Sequence, residues 1–273
     1  MTRFADTSPL RRPLPRKRFG QHFLHDPAII GRIVASFHPQ PGQHVVEIGP
    51  GRGALTLLLL QAIGKLDAVE LDRDLIPTLR ETCANAGQLT VHSADALSYD
   101  FYQLVRGAGK LRIIGNLPYN ISTPLIFHLL DQKTCISDMH FMLQKEVVDR
   151  MAATPGGGAY GRLSVMVQYH CAVTRLFGIG PGAFTPPPRV DSAMVRLTPH
   201  DAPPVAVADP AQFARVVAQA FSQRRKTLRN SIRTLLTDAE ITGCGIDPQR
   251  RAETLSLGEF AALANAVSAR PNS

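Results

Sequence analysis

The chain has 273 residues, of which 44% are hydrophobic and 19% charged, a balance that suits a packed core and excludes a disordered chain. Lys and Arg number 30 against 22 Asp and Glu, so the formal net charge is +8. The longest nearly apolar run, residues 54–63, is far shorter than the roughly 20 residues of a membrane-spanning helix, so no membrane partner is expected.

The amino-terminal residues and the spacing of the cysteines indicate the cellular compartment of the protein. Arginines and prolines occupy the place where a signal peptide would carry its apolar segment. The 4 cysteines lie far apart and include no C-x-x-C pair. We therefore expect reduced thiols in a cytoplasmic protein, with neither a disulfide framework nor a metal site.

Positive charge is concentrated in two segments. Residues 1–20 hold six basic side chains and one acid, and residues 221–236 hold five basic side chains and no acid. Clustered positive charge suits a polyanionic partner, because each neutralised phosphate releases counterions. The two segments indicate nucleic-acid binding, although solvated basic segments that aid solubility would explain them equally well.

Strand-like apolar runs alternate with helical patterns along the first two-thirds of the chain, which predicts an α/β fold with a parallel sheet covered by helices. The predicted strands are 44–48, 68–71, 89–91, 111–115 and 139–143. Asp26-Pro27 and Thr123-Pro124 each place a capping side chain before a proline, so we expect a helix to begin at each. Two further strands, near 172–178 and 193–197, have no helix between them and are expected to form an antiparallel pair at the sheet edge.

The last third of the chain reads as a linker followed by helices. Residues 199–210 are rich in proline and predict the linker, and Asp209-Pro210 then opens a helical region. Residues 221–236 are predicted to be one amphipathic helix. Its predicted packing stripe consists of Phe221, Leu228, Ile232 and Leu235, and a second stripe consists of Arg225, Arg229 and Arg233.

The first predicted strand runs into a glycine-rich loop, Gly49-Pro50-Gly51-Arg52-Gly53-Ala54. Glycines allow a sharp turn from strand to helix and let a ligand approach closely. The loop satisfies both G-x-G-x-G, the form seen in S-adenosylmethionine enzymes, and G-x-G-x-x-A, the dinucleotide form. The next strand ends with Val69-Glu70-Leu71-Asp72. An acid about 20 residues past the glycines can bind a ribose diol in either case, so the loop leaves both cofactors open.

Two further strand ends favour S-adenosylmethionine. Asp95 follows the third strand, where a carboxylate can accept a hydrogen bond from an adenine amine, and Asn116-Leu117-Pro118-Tyr119 follows the fourth. In a doubly wound sheet these ends meet at one crevice. The Asn116 side chain and the Leu117 carbonyl can accept hydrogen bonds from an amine. Pro118 restricts the backbone, and Tyr119 offers a flat face for a flipped base.

Five separated segments carry motifs that occur together in one family. They are residues 18–24, 47–53, 116–123, 160–165 and 184–192. With these motifs the chain resembles, from about Arg16 to about Leu257, the small-subunit ribosomal RNA adenine dimethyltransferases, the KsgA-type enzymes. The resemblance implies a Rossmann-like, S-adenosylmethionine-dependent methyltransferase sheet, parallel with antiparallel edge strands, and a small C-terminal helical domain.

Together with the linker and the basic segments, the resemblance predicts three parts. They are a basic amino-terminal arm (1–20), an S-adenosylmethionine-binding methyltransferase domain (21–200), and a linker with a C-terminal helical domain that binds RNA or the ribosomal subunit (201–273). The family places two methyl groups on each of two adjacent adenosines in the terminal hairpin of small-subunit RNA. The implied partner is therefore small-subunit rRNA in immature subunits, and the free protein is expected to be monomeric.

The resemblance also implies roles for particular residues. The implied cofactor contacts are His22, Leu24, Gly49, Gly51, Glu70, Asp95 and Asn116; at His22 many members have asparagine, and both side chains can donate a hydrogen bond. The implied catalytic group is Asn116, Leu117, Pro118, Tyr119 and Phe184. The acceptors at Asn116 and the Leu117 backbone favour a pyramidal target amine. The rings of Tyr119 and Phe184 sandwich the target base, and such stacking is worth roughly 1–3 kcal/mol per base. Arg225, Arg229 and Arg233 are predicted to contact the RNA backbone.

Several rival functions share some of these features. Large-subunit rRNA adenine methyltransferases of the macrolide-resistance type have a similar loop and Asn-x-Pro-Tyr motif, but segment 184–192 and the basic tail favour the small-subunit type. DNA adenine methyltransferases usually carry Pro-Pro after the Asn or Asp. A non-catalytic assembly factor is disfavoured by the intact set of Glu70, Asp95 and residues 116–119. A dehydrogenase is least favoured, because no proton-relay set accompanies the loop.

Overall fold

The structure, a computed structural model, describes residues 21–223 and 225–270. The basic arm predicted at residues 1–20 lies outside the described residues. The strands are β1 (Phe23–Leu24), β2 (His44–Ile48), β3 (Lys65–Glu70), β4 (Gln88–Ser93), β5 (Leu111–Asn116), β6 (Ile136–Gln144), β7 (Cys171–Ile179), β8 (Phe184–Thr185) and β9 (Ser192–Pro199). The α-helices are α1 (Pro27–Phe37), α2 (Ala54–Ile63), α3 (Ile76–Cys83), α4 (Ser122–Asp131), α5 (Lys145–Met151), α6 (Arg162–His170), α7 (Pro210–Ala220), α8 (Leu228–Ser231), α9 (Asp238–Gly243) and α10 (Leu257–Ser268).

Seven strands form one sheet in the order β4-β3-β2-β5-β6-β9-β7, and the five strands predicted first are confirmed as β2 to β6. The pairs β2–β3, β2–β5, β3–β4 and β5–β6 are parallel. The chain builds outward from β2 through β3 to β4 and then returns to β5 on the other side of β2. The strand order therefore reverses between β2 and β5, and such a switch point opens a ligand crevice at the carboxyl ends of the strands.

The two later strands are also confirmed, as β7 and β9, which are neighbours at the sheet edge. The backbone N–H of His200, just after β9, donates to the carbonyl of His170, just before β7, at 2.9 Å. A bond between the end of one strand and the start of the other is the pattern of an antiparallel pair.

Of the two helix starts predicted at Asp26 and Thr123, the first is correct and the second is wrong. Asp26 caps α1 by accepting from the N–H groups of Ala28 (2.9 Å) and Ile29 (3.2 Å), as predicted. The cap at Thr123 is wrong, because α4 already begins at Ser122 and has no side-chain cap. The turn after Pro118 leads directly into this helix, since the N–H of residue 121 donates to the Pro118 carbonyl. The hydroxyl of Ser122 meanwhile donates to the Tyr119 carbonyl at 3.1 Å.

The chain divides into two compact units. Of the described residues, the first unit contains 21–143 and 177–194, and the second contains 144–176, 195–223 and 225–270. The chain passes between them three times, so the predicted boundary at residue 200 does not coincide with a border of either unit. The functional domains predicted from the sequence stay a prediction.

In the second unit the single helix predicted over 221–236 is wrong. Helix α7, which Asp209 caps as predicted, ends at Ala220, and α8 spans only four residues. The N–H groups of Leu228 and Arg229 donate to the carbonyls of Arg250 (2.8 Å) and Pro248 (3.0 Å), so they have no preceding helical turn as a partner. Leu228, Ile232 and Leu235 are buried as predicted, whereas Phe221 is only half-buried and the three arginines share no helical stripe.

Candidate active site

A cavity of about 300 Å³ lies at the carboxyl ends of the central strands, in the first unit. It stands where the strand order reverses, as expected for an open α/β sheet. The residues predicted for the site that line it are His22, Leu24, Gly49, Gly51, Glu70, Asp95, Asn116, Leu117, Pro118 and Tyr119. The topology therefore brings segments from four strand ends and the amino-terminal segment to one place.

The loop between β2 and α2 needs its glycines. Gly49, Gly51 and Gly53 have φ values of 67°, 59° and 87°, in the left-handed region that other residues rarely adopt. A Cβ atom on Gly51 would also lie 3.3 Å from the ring of Phe23, and the guanidinium of Arg52 lies 4.2 Å from the centre of the same ring. The loop is thus closely packed against β1 as well as open to the cavity.

Glu70 holds this loop while it lines the cavity. One carboxylate oxygen accepts from the N–H of Gly51 at 3.1 Å, and the other accepts from the N–H of Asp72 at 2.8 Å. Burial raises the pKa of Glu70, and these backbone hydrogen bonds oppose the rise. A carboxylate has about four acceptor positions, so capacity remains for the hydroxyl groups of a ribose. Asp95 is exposed and uses one oxygen for the N–H of Leu97 at 2.9 Å.

The cavity contains an acid that the sequence-based prediction missed. Glu47 lies within β2, is only 2% exposed and lines the cavity. The hydroxyl of Thr56 donates to its carboxyl group at 2.6 Å. Burial raises the pKa of Glu47 to about 8, and the neighbouring charge of Glu70 adds to this effect. An acid inside an otherwise apolar parallel strand was the available signal, since such residues are seldom fully buried.

Asn116, the last residue of β5, has a defined amide orientation. Its Nδ2 atom donates to the backbone carbonyl of His22 at 2.9 Å. With Nδ2 engaged in this way, Oδ1 is the atom of this side chain that can accept a hydrogen bond from a ligand amine. The N–H of Leu117 donates to the carbonyl of Met142, which holds the next residue in place.

Tyr119 is held at its tip and on its ring. Its hydroxyl forms a hydrogen bond of 2.6 Å with Oγ of Ser192, and its ring stacks with that of His22 at a centroid distance of 5.7 Å and an interplanar angle of 28°. Burial raises the pKa of Tyr119, and the bond with Ser192 opposes the rise. The contributions of Ser192 and of the His22 ring were not foreseen from the sequence, because both depend on segments distant along the chain.

Among the described residues, Phe184 is the one predicted catalytic residue that is not in the cavity lining. It is 2% exposed, belongs to β8 and pairs with Leu24 of β1 in an antiparallel register. The sandwich of a base between Tyr119 and Phe184 stays a prediction.

The three arginines predicted to contact RNA belong to the second unit. Arg225, Arg229 and Arg233 are all exposed. Arg229 forms an ion pair with Asp238 at 2.5 Å, which any phosphate contact by this guanidinium would share or replace. Their contact with RNA stays a prediction.

In residues 21–223 and 225–270, no group of three or more His, Cys, Asp or Glu side chains could hold a metal ion. No helix over the same residues is long and apolar enough to cross a membrane.

A sheet with this switch point, a glycine loop and polar residues at successive strand ends defines a Rossmann-like fold of the methyltransferase type. The family model of the ribosomal RNA adenine dimethylases matches residues 14–269, so the chain belongs to this family, and the resemblance read from the sequence is confirmed. Ribosomal RNA small subunit methyltransferase A of Pseudomonas aeruginosa is 57% identical over 256 residues, covering 94% of this chain and 96% of that protein.

Solved structures agree with the fold. A dimethyladenosine transferase from Plasmodium falciparum has a TM-score of 0.72 and 26% identity, covering 89% of this chain and 96% of that one. The 23S rRNA methyltransferase ErmE has a TM-score of 0.70 and 22% identity, covering 90% and 99% respectively, and at that identity it indicates the fold alone.

Proposed function

We propose that this protein is a cytoplasmic enzyme that uses S-adenosylmethionine to dimethylate the N6 amines of two adjacent adenosines. The target is the 3'-terminal hairpin of 16S rRNA in immature small ribosomal subunits. The observation that carries this proposal is the convergence of Glu70, Asp95 and residues 116–119 on one cavity of a chain in the adenine dimethylase family. Neither a dehydrogenase nor a scaffold without catalysis needs that set.

The cavity fits S-adenosylmethionine in size and in chemistry. About 300 Å³ is at the lower end of the volumes of small-ligand sites. Glu70 has acceptor capacity for the ribose, the second oxygen of Asp95 can accept from the adenine amine, and the glycine loop leaves the backbone accessible. When bound, this cofactor supplies an electrophilic methyl group on a sulfonium ion.

The chain's own residues orient the target amine. The N6 lone pair of adenine is conjugated with the ring, so the amine is a poor nucleophile while it stays planar. Oδ1 of Asn116 and the carbonyl of Leu117 accept its hydrogens and favour a pyramidal nitrogen. Tyr119 stacks on the flipped base. No strong base is required, and catalysis rests on orientation and preorganised acceptors.

The test uses immature small subunits, purified protein and methyl-labelled S-adenosylmethionine, with the labelled nucleotides mapped by mass spectrometry. We expect N6,N6-dimethyladenosine at two adjacent positions of the terminal hairpin. Asn116→Ala should slow the reaction about 100-fold or more, as for loss of a preorganised polar group. Asn85→Ala, at an exposed position outside the cavity lining, is the matched control. Label only at other positions of the small-subunit RNA, or tight subunit binding without label, would contradict the proposal. In a parallel reaction with large subunits, label in the large-subunit RNA would contradict it as well.

Calorimetry tests the cofactor separately from the RNA. S-adenosylmethionine should bind and NAD should not. Asp95 suits the adenine amine of the cofactor and Asn116 suits the target amine, and neither side chain is a partner for hydride transfer. Binding of NAD without any response to S-adenosylmethionine would refute the cofactor assignment.

A further inference from the structure

His22 is tied to both side chains that the proposed function places around the target amine. Its backbone carbonyl accepts the hydrogen bond from Nδ2 of Asn116 at 2.9 Å, and its ring stacks with the ring of Tyr119 at 5.7 Å. His22 therefore orients the amide of Asn116 and borders the ring of Tyr119. Family resemblance alone assigned His22 only a cofactor contact.

The imidazole of His22 is itself fixed. Its Nδ1 atom lies 2.7 Å from the backbone oxygen of Pro186, and since a carbonyl can only accept, Nδ1 carries the hydrogen. The neighbouring residues 23 and 24 pair with β8, and the N–H of His25 donates to the carbonyl of Ala183. The ring is thus anchored to segment 183–186 at its polar edge while its flat face meets Tyr119.

Tyr119 has its own second anchor at the opposite end of the ring, where its hydroxyl bonds to Ser192 at 2.6 Å. Ser192 is fully buried, so the partner that holds this hydroxyl is fixed in the core. A ring held at its hydroxyl can still rotate about the axis through that hydroxyl. Contact with a second flat ring is what restricts this rotation, and aromatic rings pair favourably at centroid distances of 4.5–7 Å.

We propose that His22 is a positioning residue whose imidazole ring sets the plane of Tyr119, leaving the other face of the tyrosine for the target adenine. The inference rests on the proposed function, because it concerns the ring that stacks on the substrate base. An asparagine at this position could replace the hydrogen-bonding capacity of His22 but not its flat ring. A role through the ring and a role through a hydrogen bond to the cofactor therefore predict opposite effects of two substitutions.

The decisive variants are His22→Asn, which keeps a polar amide and loses the ring, and His22→Phe, which keeps a ring and loses the hydrogen bond to Pro186. Methyl transfer to immature subunits should fall about tenfold in kcat/KM for RNA in His22→Asn, the upper range for loss of one aromatic pair. His22→Phe should recover to within about threefold of the parent, since the aromatic contact is retained. His25→Ala, an exposed histidine of the same segment, is the matched control and should be unchanged.

Two measurements do not depend on RNA and separate this inference from the proposed function. The affinity for S-adenosylhomocysteine, measured by calorimetry, should be the same in His22→Asn and the parent protein, because asparagine keeps a hydrogen-bond donor at this cavity-lining position. In protein labelled with 3-fluorotyrosine, each of the 5 tyrosines carries a fluorine label, and the resonance that disappears in Tyr119→Phe is that of Tyr119. This resonance should move in His22→Asn and stay in place in His25→Ala.

A double-mutant cycle completes the test. If His22 acts through Tyr119, His22→Asn should cost nothing further in a Tyr119→Ala background, because coupled residues are not additive. The proposal would be overturned if the activity losses of His22→Asn and Tyr119→Ala were additive. It would also be overturned if His22→Asn kept the parent's methyl-transfer activity while His22→Phe lost it, or if His22→Asn bound the cofactor more weakly. A fluorine resonance of Tyr119 that does not respond to His22→Asn would overturn it as well.

Discussion

The buried carboxyl group of Glu47 makes the stability of this protein depend on pH. The side chain is 2% exposed, and its hydrogen bond from Thr56 at 2.6 Å lowers its pKa less than burial raises it. Its pKa in the folded protein is about 8, against 4.5 for an unperturbed glutamate. The carboxyl therefore keeps its proton in the fold at pH values where the unfolded chain has lost it.

The sign and the size of the effect follow from proton linkage. Between pH 4.5 and about 8 the folded state binds more protons than the unfolded state, so the free energy of unfolding falls as pH rises and levels off above the folded pKa. One pH unit corresponds to about 1.4 kcal/mol. Across the whole window the loss amounts to about 4–5 kcal/mol, a large part of the stability of a typical domain.

Glu47→Gln removes the titration and keeps an oxygen that can accept from Thr56. The variant should match the parent near pH 5 and exceed its free energy of unfolding by several kcal/mol near pH 9. Urea denaturation at one-unit intervals from pH 5 to 9 measures this difference, and Glu81→Gln, at an exposed position, is the control. Parallel pH profiles for parent and Glu47→Gln would show that this carboxyl ionises in the fold as it does in water, and the reasoning would be refuted.

Four further predictions concern the base pocket, the basic segment and the part-buried ion pair of Arg112 and Asp138. Tyr119→Ala should impair methyl transfer far more than cofactor binding, with the exposed Tyr102→Ala as control; equal losses of both would contradict its stacking role. Phe184→Ala should also impair methyl transfer more than cofactor affinity, and because the ring is 2% exposed it should lower stability by about 3–5 kcal/mol. Replacing Arg225, Arg229 and Arg233 together with Gln should weaken binding to immature subunits and reduce the salt slope by roughly 0.7–0.9 per lost phosphate contact, with the methylated positions unchanged. An unaltered slope would show these side chains to be merely solvated. Burial raises the pKa of Asp138, but the close contact with His140 (3.3 Å) and the two hydrogen bonds from Arg112 (2.9 and 2.8 Å) outweigh burial and bring the pKa to about 2. The ionised Asp138 should contribute fully to stability above pH 3.8, the ordinary pKa of an aspartate, and this contribution should be lost as pH falls towards 2. Acid titration followed by circular dichroism should show this loss in the parent protein and not in Asp138→Asn.

The sequence alone determined the features that arise from short-range physics. Strands β2 to β6 were predictable because parallel strands covered on both faces are continuous apolar runs. The caps at Asp26 and Asp209 were predictable because a capping side chain bonds to N–H groups two or three residues along the same chain. The convergence of Glu70, Asp95 and Asn116 followed as well, since the carboxyl ends of parallel strands necessarily meet at one edge.

Only the tertiary structure decided the features that depend on partners distant in sequence. The helix expected over 221–236 is broken because Leu228 and Arg229 donate to carbonyls of residues 250 and 248. Phe184 is buried because β8 pairs with β1, about 160 residues earlier. Glu47 holds its proton, and the ring of His22 meets that of Tyr119, only once separate segments have packed together. Sequence periodicity carries no information on such neighbours, because burial and ring contacts are properties of the assembled core and not of the local chain.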